Sequence, residues 1–497
     1  MSHSSRVSQT PADAASLAQT VAKTVESPVP SSLFPEPLVA FEEYMHLDYN
    51  STYPSAITSR LRFSGRLDVD RMRRALETAA RRHPLFRCRV KKMGRRYYWI
   101  PDDAPLSFVS ARRETIPGAD GDDLFENARA LRLDRGPGLS AIVIWDDVSA
   151  DVVLRCHHAT TDGVGLHAFL VDAFREYAAL AGLIPQDFER RPLNFDAFRQ
   201  RGKLGLTLWN YWRNYYHTCV TTIRFLWIPP YSFDLLPGAP KERSLDSDVD
   251  EIRRRDHFIT AELTPEESKR CFAAAKSLGV TVNDLALSAF VWSLDKIRRE
   301  RGEKTGGRIR VATPIDMRNK NHSESPACNV VTMAFVDFLS CERRALRRLL
   351  KITQKRMNIV KKHGQKYFLD LALRIGKRLA GLVGDDLSFF LRSNKCRATA
   401  TFSNVGRLFH SVPLDKTEDG RLRVGDLILE KIENAPPIRY RSPISVGAAT
   451  YGKRFCFGFR FDSRYLTPEE ARMFLDSFAF TCANFLETLE NDANDKT

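Results

Sequence analysis

Two adjacent histidines, His157 and His158, precede Asp162 and Gly163, and these residue types could carry proton-transfer chemistry. The unperturbed pKa of an imidazole lies near neutral pH, so a histidine can accept a proton and return it. The alternating segment 151–156 predicts a strand before the pair, and the apolar spacing after Gly163 predicts a helix. A base at the end of a strand would be held on a rigid element. The alternative is a histidine pair that merely packs in a turn.

The elements that must position this pair are predicted within residues 33–184, as one α/β layer. A helix over 70–82 is predicted to end before Pro84. Gly94 is placed in a hairpin turn, and the helix after the motif is predicted to run to about Leu180. The other predicted strands are 57–67, 86–90, 96–100 and 139–145. The motif would then lie at the end of a central strand.

Residues 255–497 predict a second α/β unit. Thr264-Pro265 with Glu267, and Thr467-Pro468 with Glu470, carry the cap and first-turn residues of a helix start. Further elements are predicted as helices from 281 to 297 and within 342–391, and as strands at 308–312, 329–338, 398–402, 421–432, 443–450 and 454–461. The two halves are alike at coarse scale, but the second has no histidine pair. We therefore expect one site between two similar domains.

Residues 185–254 interrupt this alternation and are interpreted as a crossover linker. Apolar and aromatic residues at helical spacing over 204–227, with flanking basic side chains, are typical of an interfacial helix. This predicts peripheral contact with a membrane. The alternative is a helix that braces the two domains.

Composition bounds the partners and the compartment. The chain has a net charge of +15, which suits a polyanionic partner such as coenzyme A, an acidic carrier protein, anionic lipid or nucleic acid. The basic runs are dispersed and are interpreted as solvated faces, and no nucleic-acid partner is predicted. The nine cysteines show no CxxC spacing, which predicts a reducing compartment and no metal site. Residues 1–32 are interpreted as a disordered tail without a signal peptide. We expect a cytoplasmic monomer, with attachment to the membrane periphery as the alternative location.

The pattern His157-His158-x-x-x-Asp162-Gly163 resembles the HHxxxDG motif of the chloramphenicol acetyltransferase-like superfamily. That superfamily includes condensation domains, alcohol acetyltransferases and wax ester synthase/diacylglycerol acyltransferases. Four further segments occur in the order familiar from it, at 281–284, 313–318, 329–331 and 402–406. The resemblance implies an α/β fold of two acetyltransferase-like subdomains, with mixed sheets flanked by helices. It further implies that they form a V with an active-site tunnel at their interface.

Chemistry and resemblance together assign roles to the motif. His158 would be the general base that removes a proton from the acceptor. The resemblance implies that Asp162 is structural, and Arg318 is chosen as its partner. Gly163 would let the turn close without a Cβ clash, and His157 would support the motif by packing or by bonding to the backbone.

The opposite wall of the site is expected near Asn283, Ser403 and Asn404. Ser403, Asn404 and backbone N–H groups near Gly163 are the candidates to stabilise an oxyanion. The predicted function is direct acyl transfer from an acyl-CoA or carrier-bound thioester to an alcohol, with the thioester as co-substrate and no bound cofactor. Lipidic alcohols are among the expected acceptors. The alternatives are amide formation with an amine, as in condensation domains, and a non-catalytic relative that binds thioester-bearing partners.

Overall fold

The computed structural model describes residues 29–494 with several gaps. The residues outside the description are 1–28, 50–52, 116–130, 206, 208, 210–211, 213–214, 240–255, 304–305, 363, 383–385, 389–395, 440 and 495–497. Most of the predicted tail therefore lies outside the described residues, although Ser31–Leu33 forms a short 3-10 turn.

The described strands, β1 to β15 in chain order, are Glu36–Pro37, Ala56–Ser64, Cys88–Met93, Arg96–Pro101, Ser107–Arg112, Leu139–Trp145, Ser149–His157, Asp256–Glu262, Ile309–Asp316, Val331–Phe338, Ala400–Arg407, Arg423–Val424, Leu427–Ala435, Ile444–Tyr451 and Arg454–Asp462. The described helices, α1 to α11, are Ala40–Leu47, Val69–Arg82, Gly163–Leu180, Phe195–Arg199, Tyr215–Trp227, Pro265–Ser277, Val282–Glu300, Leu346–Lys362, Phe368–Leu382, Pro468–Ala483 and Phe485–Asn494.

Two six-stranded mixed sheets organise these elements. The first has the order β12-β13-β2-β7-β6-β5, and the second has the order β10-β9-β11-β14-β15-β8. Among the described strands, parallel pairing occurs between β5 and β6 in the first sheet, and between β11 and both β9 and β14 in the second. The predicted α/β class, with two mixed sheets flanked by helices, is confirmed.

Local sequence signals explain where the helices of the second half begin. The Thr264 hydroxyl accepts a hydrogen bond from the Glu267 N–H, and the Glu267 carboxylate accepts one from the Thr264 N–H. Thr467 and Glu470 form the same reciprocal cap at the start of α10. A further helix, α11, follows α10 after a break at Asn484.

One strand pair joins the halves of the chain. Strands β12 and β13 come from the range 255–497 in sequence, yet β13 pairs antiparallel with β2 in the first sheet. The buried Arg60 on β2 forms an ion pair with the buried Glu433 on β13. The second half of the chain thus contributes two strands to the sheet that carries the motif.

A small third sheet lies beside the first. The hairpin of β3 and β4, with Gly94 in its turn at a φ of +60°, was predicted, and β1 pairs with its open edge. This sheet and helix α1 enclose a separate apolar cluster that includes Phe41, Trp99 and Ala159. Since Ala159 lies in the motif turn, this apolar cluster packs against the turn.

Candidate active site

The histidine pair lies at the end of a central strand, as predicted. Strand β7 ends at His157 between its neighbours β2 and β6, and helix α3 begins at Gly163. The backbone N–H of His157 donates to the Gly138 carbonyl at 2.8 Å, and that of His158 donates to the Ser55 carbonyl at 2.7 Å. Both histidines are therefore fixed through their main chains.

The His158 ring faces a cavity between the two halves. The side chain is partly buried and lines this cavity, while its Nδ1 atom is enclosed without a hydrogen-bond partner of normal geometry among the described residues. This leaves Nε2 as the ring nitrogen available to a substrate. Burial lowers the pKa of His158, and nearby backbone groups, the Asp162 charge and Asn329 oppose that shift only in part. The ring is therefore neutral at neutral pH and able to accept a proton.

His157 points into the protein instead. Its side chain is buried, its Nδ1 accepts a hydrogen bond from the Ala159 N–H at 3.1 Å, and its ring stacks on Tyr49 at 5.5 Å. Burial, followed by the proximity of His46 and His158, lowers the pKa of His157 well below its usual value. These contacts are those of a neutral packing residue, as the sequence predicted.

Asp162 makes the densest set of contacts in the motif. Its carboxylate accepts two hydrogen bonds from Arg318, both at 2.9 Å, so the predicted pair is present as a bidentate ion pair. It also accepts from the backbone N–H groups of Gly165 and Val330, each at 2.9 Å. Burial lowers the pKa of Arg318, but the charge and hydrogen bonds of Asp162 outweigh it and the net pKa is raised. One carboxylate thus caps α3 and ties it to the second half of the chain.

Asn329 holds the motif backbone, a role that the sequence did not reveal. Its amide Nδ2 donates to the carbonyls of His158 and Ala159, at 2.8 and 2.9 Å. The next residue, Val330, donates to Asp162, so two consecutive residues bind the turn. One feature of the sequence could have indicated this role. Asn329 stands at the start of an apolar strand, where a buried side-chain amide needs a hydrogen-bond partner.

The cavity has a volume of about 290 Å³ and draws its walls from both sheets. His158, Gly163, Ser403 and Asn404 all line it, so the structure brings these predicted residues together. Asn404 Oδ1 accepts a hydrogen bond from the Gly406 N–H at 2.9 Å, which leaves the Asn404 amide group as a donor. The remaining walls are largely apolar, with side chains such as Met45, Ile57, Leu166, Leu170, Val331, Met333 and Phe409.

Asn283 is placed elsewhere, contrary to the prediction. It is the second residue of α7 and is not among the described residues that line the cavity. The Thr281 and Asp284 side chains beside it form the cap of α7. The Thr-Val-Asn-Asp segment is therefore explained by helix capping.

A polar pair that the sequence did not reveal also lines the cavity. Asp48, just after α1, forms an ion pair with Arg439, and both residues lie on the cavity wall. The Arg439 guanidinium lies over the Tyr44 ring at 5.0 Å. Since 391 positions separate the partners, neither residue type nor local spacing could have indicated the contact.

The space for a side chain is tighter at Gly165 than at Gly163, the glycine of the motif. A Cβ at Gly163 would come within 2.7 Å of a methyl group of Val405, which a side chain can relieve by moving. A Cβ at Gly165 would lie 2.2 Å from the Thr161 hydroxyl and 3.1 Å from the Cys328 backbone. The turn and the segment before β10 therefore approach each other closely at Gly165.

Replacing Gly165 with alanine is expected to destabilise the fold by about 1–3 kcal/mol, because the new methyl group overpacks this contact. Urea unfolding monitored by circular dichroism would measure the change. Gly136→Ala is the matched control, since a Cβ there meets nothing within 4 Å. Equal stabilities for the two variants would show that the close approach is not required.

Among the described residues, no group of three or more His, Cys, Asp or Glu side chains is arranged to hold a metal ion. All nine cysteines are free thiols. Burial raises the pKa of the Cys156 thiol, next to the histidine pair, to about 12, so it is a poor nucleophile.

Solved structures of other proteins share the fold of this chain. The first condensation domain of the calcium-dependent antibiotic synthetase, in complex with a substrate analogue, is similar in fold, with a TM-score of 0.66 at 14% identity over 91% of this chain and 96% of that one. The trichothecene 15-O-acetyltransferase TRI3 of Fusarium sporotrichioides has a TM-score of 0.63 at 15% identity over 90% and 94% of the two chains.

Sequence comparison leads to the same group. The uncharacterized protein Rv2305 of Mycobacterium tuberculosis (strain ATCC 25618 / H37Rv) is 26% identical over 390 residues, which cover 75% of this chain and 83% of that protein. The family model described as the condensation domain matches residues 44–389. The chain therefore belongs to the condensation domain family, within the chloramphenicol acetyltransferase-like superfamily.

Proposed function

We propose that this protein transfers an acyl group from a thioester directly to an alcohol, with His158 as the general base. The observation that supports it most is the neutral His158 ring, held by its backbone at the wall of a cavity between the two halves. A general base must be unprotonated, fixed in position and within reach of the acceptor. His158 meets the first two requirements, and the cavity offers room for the third.

The proposed reaction is balanced without an acylated residue. Nε2 of His158 accepts the hydroxyl proton as the acceptor oxygen attacks the thioester carbonyl. The tetrahedral intermediate then collapses, the carbon–sulfur bond breaks, and the thiolate takes the proton back from the imidazolium. The general-base contribution to such a step is about 10²–10⁴-fold.

The negative oxygen of the intermediate needs hydrogen-bond donors. The Asn404 amide and the Ser403 hydroxyl line the cavity on the wall formed by β11. The N–H groups of Gly163 and Val164 lie in the first turn of α3, where they are outside the helical hydrogen-bond ladder. These donors, on two sides of the cavity, support an oxyanion site, with each contributing up to about 10²–10³-fold.

The donor proposed is acyl-CoA or an acyl carrier protein, and the apolar walls favour an acyl chain or a lipidic acceptor. The net charge of +15 suits either donor, since both are acidic. Coenzyme A or the carrier enters as part of a substrate and leaves as a thiol.

Amide formation is the second candidate, because condensation domains are among the structural neighbours. An amine acceptor would use the same base and the same oxyanion donors. The neighbour whose name includes an O-acetyltransferase supports the alcohol instead.

A thiol-release screen would test the proposal. Acyl-CoA thioesters of increasing chain length would be offered with alcohols and with amines, and the free thiol measured with a colorimetric reagent. We expect coenzyme A release that requires an alcohol. Release that requires an amine would favour the second candidate, and no release with any pair would contradict a coenzyme A-dependent transferase.

A further inference from the structure

Helix α5 presents an apolar face to solvent rather than to the core. Tyr216, Ile223 and Trp227 are spaced to share one side of the helix and are all exposed, whereas Phe225 points inwards against Phe335 and Phe368. Trp209 and Trp212, just before α5, are exposed as well. The exposed fraction of the four aromatic side chains Trp209, Trp212, Tyr216 and Trp227 ranges from 68% to 78%. A brace between domains would bury such residues.

Helix α9 extends the same surface. It packs beside α5 through the contact of Phe368 with Phe225, whose ring centroids are 5.2 Å apart. Ile375, Leu379 and Leu382 recur at helical spacing on its outer side, and Leu382 is 82% exposed. The apolar outer residues of α5 and α9, with Trp209 and Trp212, are called the outer face below. Contiguous apolar surface of this kind marks an interaction site.

The charges on these helices identify the kind of partner. Helix α5 contains Arg224 and no acidic residue. On α9, Arg374 forms an ion pair with Asp370 and Lys377 forms one with Glu43, so Arg378 is the basic residue of that helix without an acidic partner among the described residues. Arg224 and Arg378 are exposed. Aromatic and aliphatic side chains flanked by arginine are the combination that binds the interface of an anionic bilayer. An acidic protein would match the arginines alone, whereas the exposed aromatic and aliphatic side chains beside them match the apolar part of a lipid interface.

An apolar path connects the outer face to the cavity. Residues 331, 333 and 335 alternate along β10, so they share one side of the strand. Val331 and Met333 line the cavity, and the next residue on that side, Phe335, contacts Phe225 of α5 at 4.7 Å between ring centroids. One side of strand β10 therefore contacts α5 beneath the outer face and also forms part of the cavity wall.

We propose that the outer face docks the protein on an anionic lipid surface and places the cavity next to a membrane-borne substrate. Docking is independent of the chemistry, whereas the delivery of a lipidic substrate to His158 rests on the proposed acyl transfer. None of the described helices alone is long and apolar enough to cross a bilayer, and α6 with α7 reaches that length only as a pair bent by 105°. The proposed attachment lies in the interface and uses neither of them.

Co-sedimentation of the full chain with vesicles would test the docking. The vesicles would contain phosphatidylcholine alone or phosphatidylcholine with phosphatidylglycerol. We expect binding to the anionic vesicles, and the triple variant Tyr216→Ser/Trp227→Ser/Leu382→Ser should bind about 100-fold more weakly because it removes apolar area from the interface. Arg224→Gln/Arg378→Gln should weaken binding to anionic vesicles about 10-fold.

The matched control is Val148→Ser/Met473→Ser/Phe480→Ser, which removes three exposed apolar side chains from other elements. All variants change exposed residues, and thermal melting would verify that they fold. Failure to bind either vesicle, or equal binding by the wild type and the first triple variant, would overturn the proposal. If that variant instead converts a dimer to a monomer, the face binds a second copy. Thiol release with a soluble short-chain alcohol needs no vesicle, so loss of docking and loss of catalysis are separable.

Discussion

Turnover is expected to fall by about 10²–10⁴-fold when His158 is replaced by alanine, while the protein stays folded. The His158 ring lines the cavity and makes few contacts that hold the fold, because the motif turn is bound through the backbone carbonyls of His158 and Ala159. The variant keeps those carbonyls. Thiol release under saturating substrate measures kcat, and circular dichroism measures the fold.

His410→Ala is the matched control, since His410 is exposed and is not among the described residues that line the cavity. It should retain full activity. A His158→Ala variant with the turnover of the wild type would contradict the base assignment. His158→Gln keeps much of the side-chain volume, so a loss of turnover in both variants points to the lost base rather than to a lost contact.

The pH profile of the wild type distinguishes a base from a positioning residue. Burial lowers the pKa of His158 from 6.5, so its neutral form persists below that pH. The value of kcat/KM should therefore fall as the ring becomes protonated, and the midpoint of that fall should lie below pH 6.5. A midpoint above pH 6.5 would show that another group controls the rate.

The sequence predicted those parts of the site whose residues are close together in the chain. Strand β7, the turn and α3 follow from alternation, Asp162 and the apolar spacing, and so do the caps at Thr264 and Thr467. The choice of Arg318 as the partner of Asp162 came from the order of segments in the superfamily, since 156 positions separate the two residues. The resemblance to the superfamily thus predicted a contact between residues distant in sequence, which hydrophobic periodicity cannot indicate.

The rest depended on tertiary packing. Strand β13 pairs with β2 in the first sheet, although it belongs to the second half of the chain. The sequence could not indicate this pairing, because an alternating strand pattern is compatible with the edge of either sheet. Asp48 and Arg439 meet across the cavity wall, and each alone is typical of a surface residue. Asn283 was misplaced because a helix cap and a site wall use the same residue types, and here capping accounts for the segment.

Replacing Asp162 with alanine is expected to destabilise the protein by about 3–5 kcal/mol, the usual cost of breaking a buried ion pair from one side. The variant loses the N-cap of α3, the acceptor of the Val330 N–H and the counter-charge of Arg318. Asp316 lies 3.2 Å from Arg318 but is half exposed, so it compensates only in part. Urea unfolding would measure the loss. Asp134→Ala is the control, because its ion pair with Arg132 is half exposed, and it should cost less than about 1 kcal/mol.

Arg318→Ala should cost less, about 2–3 kcal/mol, because the Asp162 carboxylate keeps the hydrogen bonds from Gly165 and Val330. The double variant should be more stable than the sum of the two losses implies, by a coupling energy of about 1–3 kcal/mol. A coupling energy near zero would mean that the two side chains act independently. Full stability and activity of Asp162→Ala would contradict the structural role altogether. A larger loss of stability for Asp162→Ala than for Arg318→Ala, together with a positive coupling energy, would show that Asp162 holds the turn together. It would also show that Arg318 joins the two halves around His158 by binding Asp162.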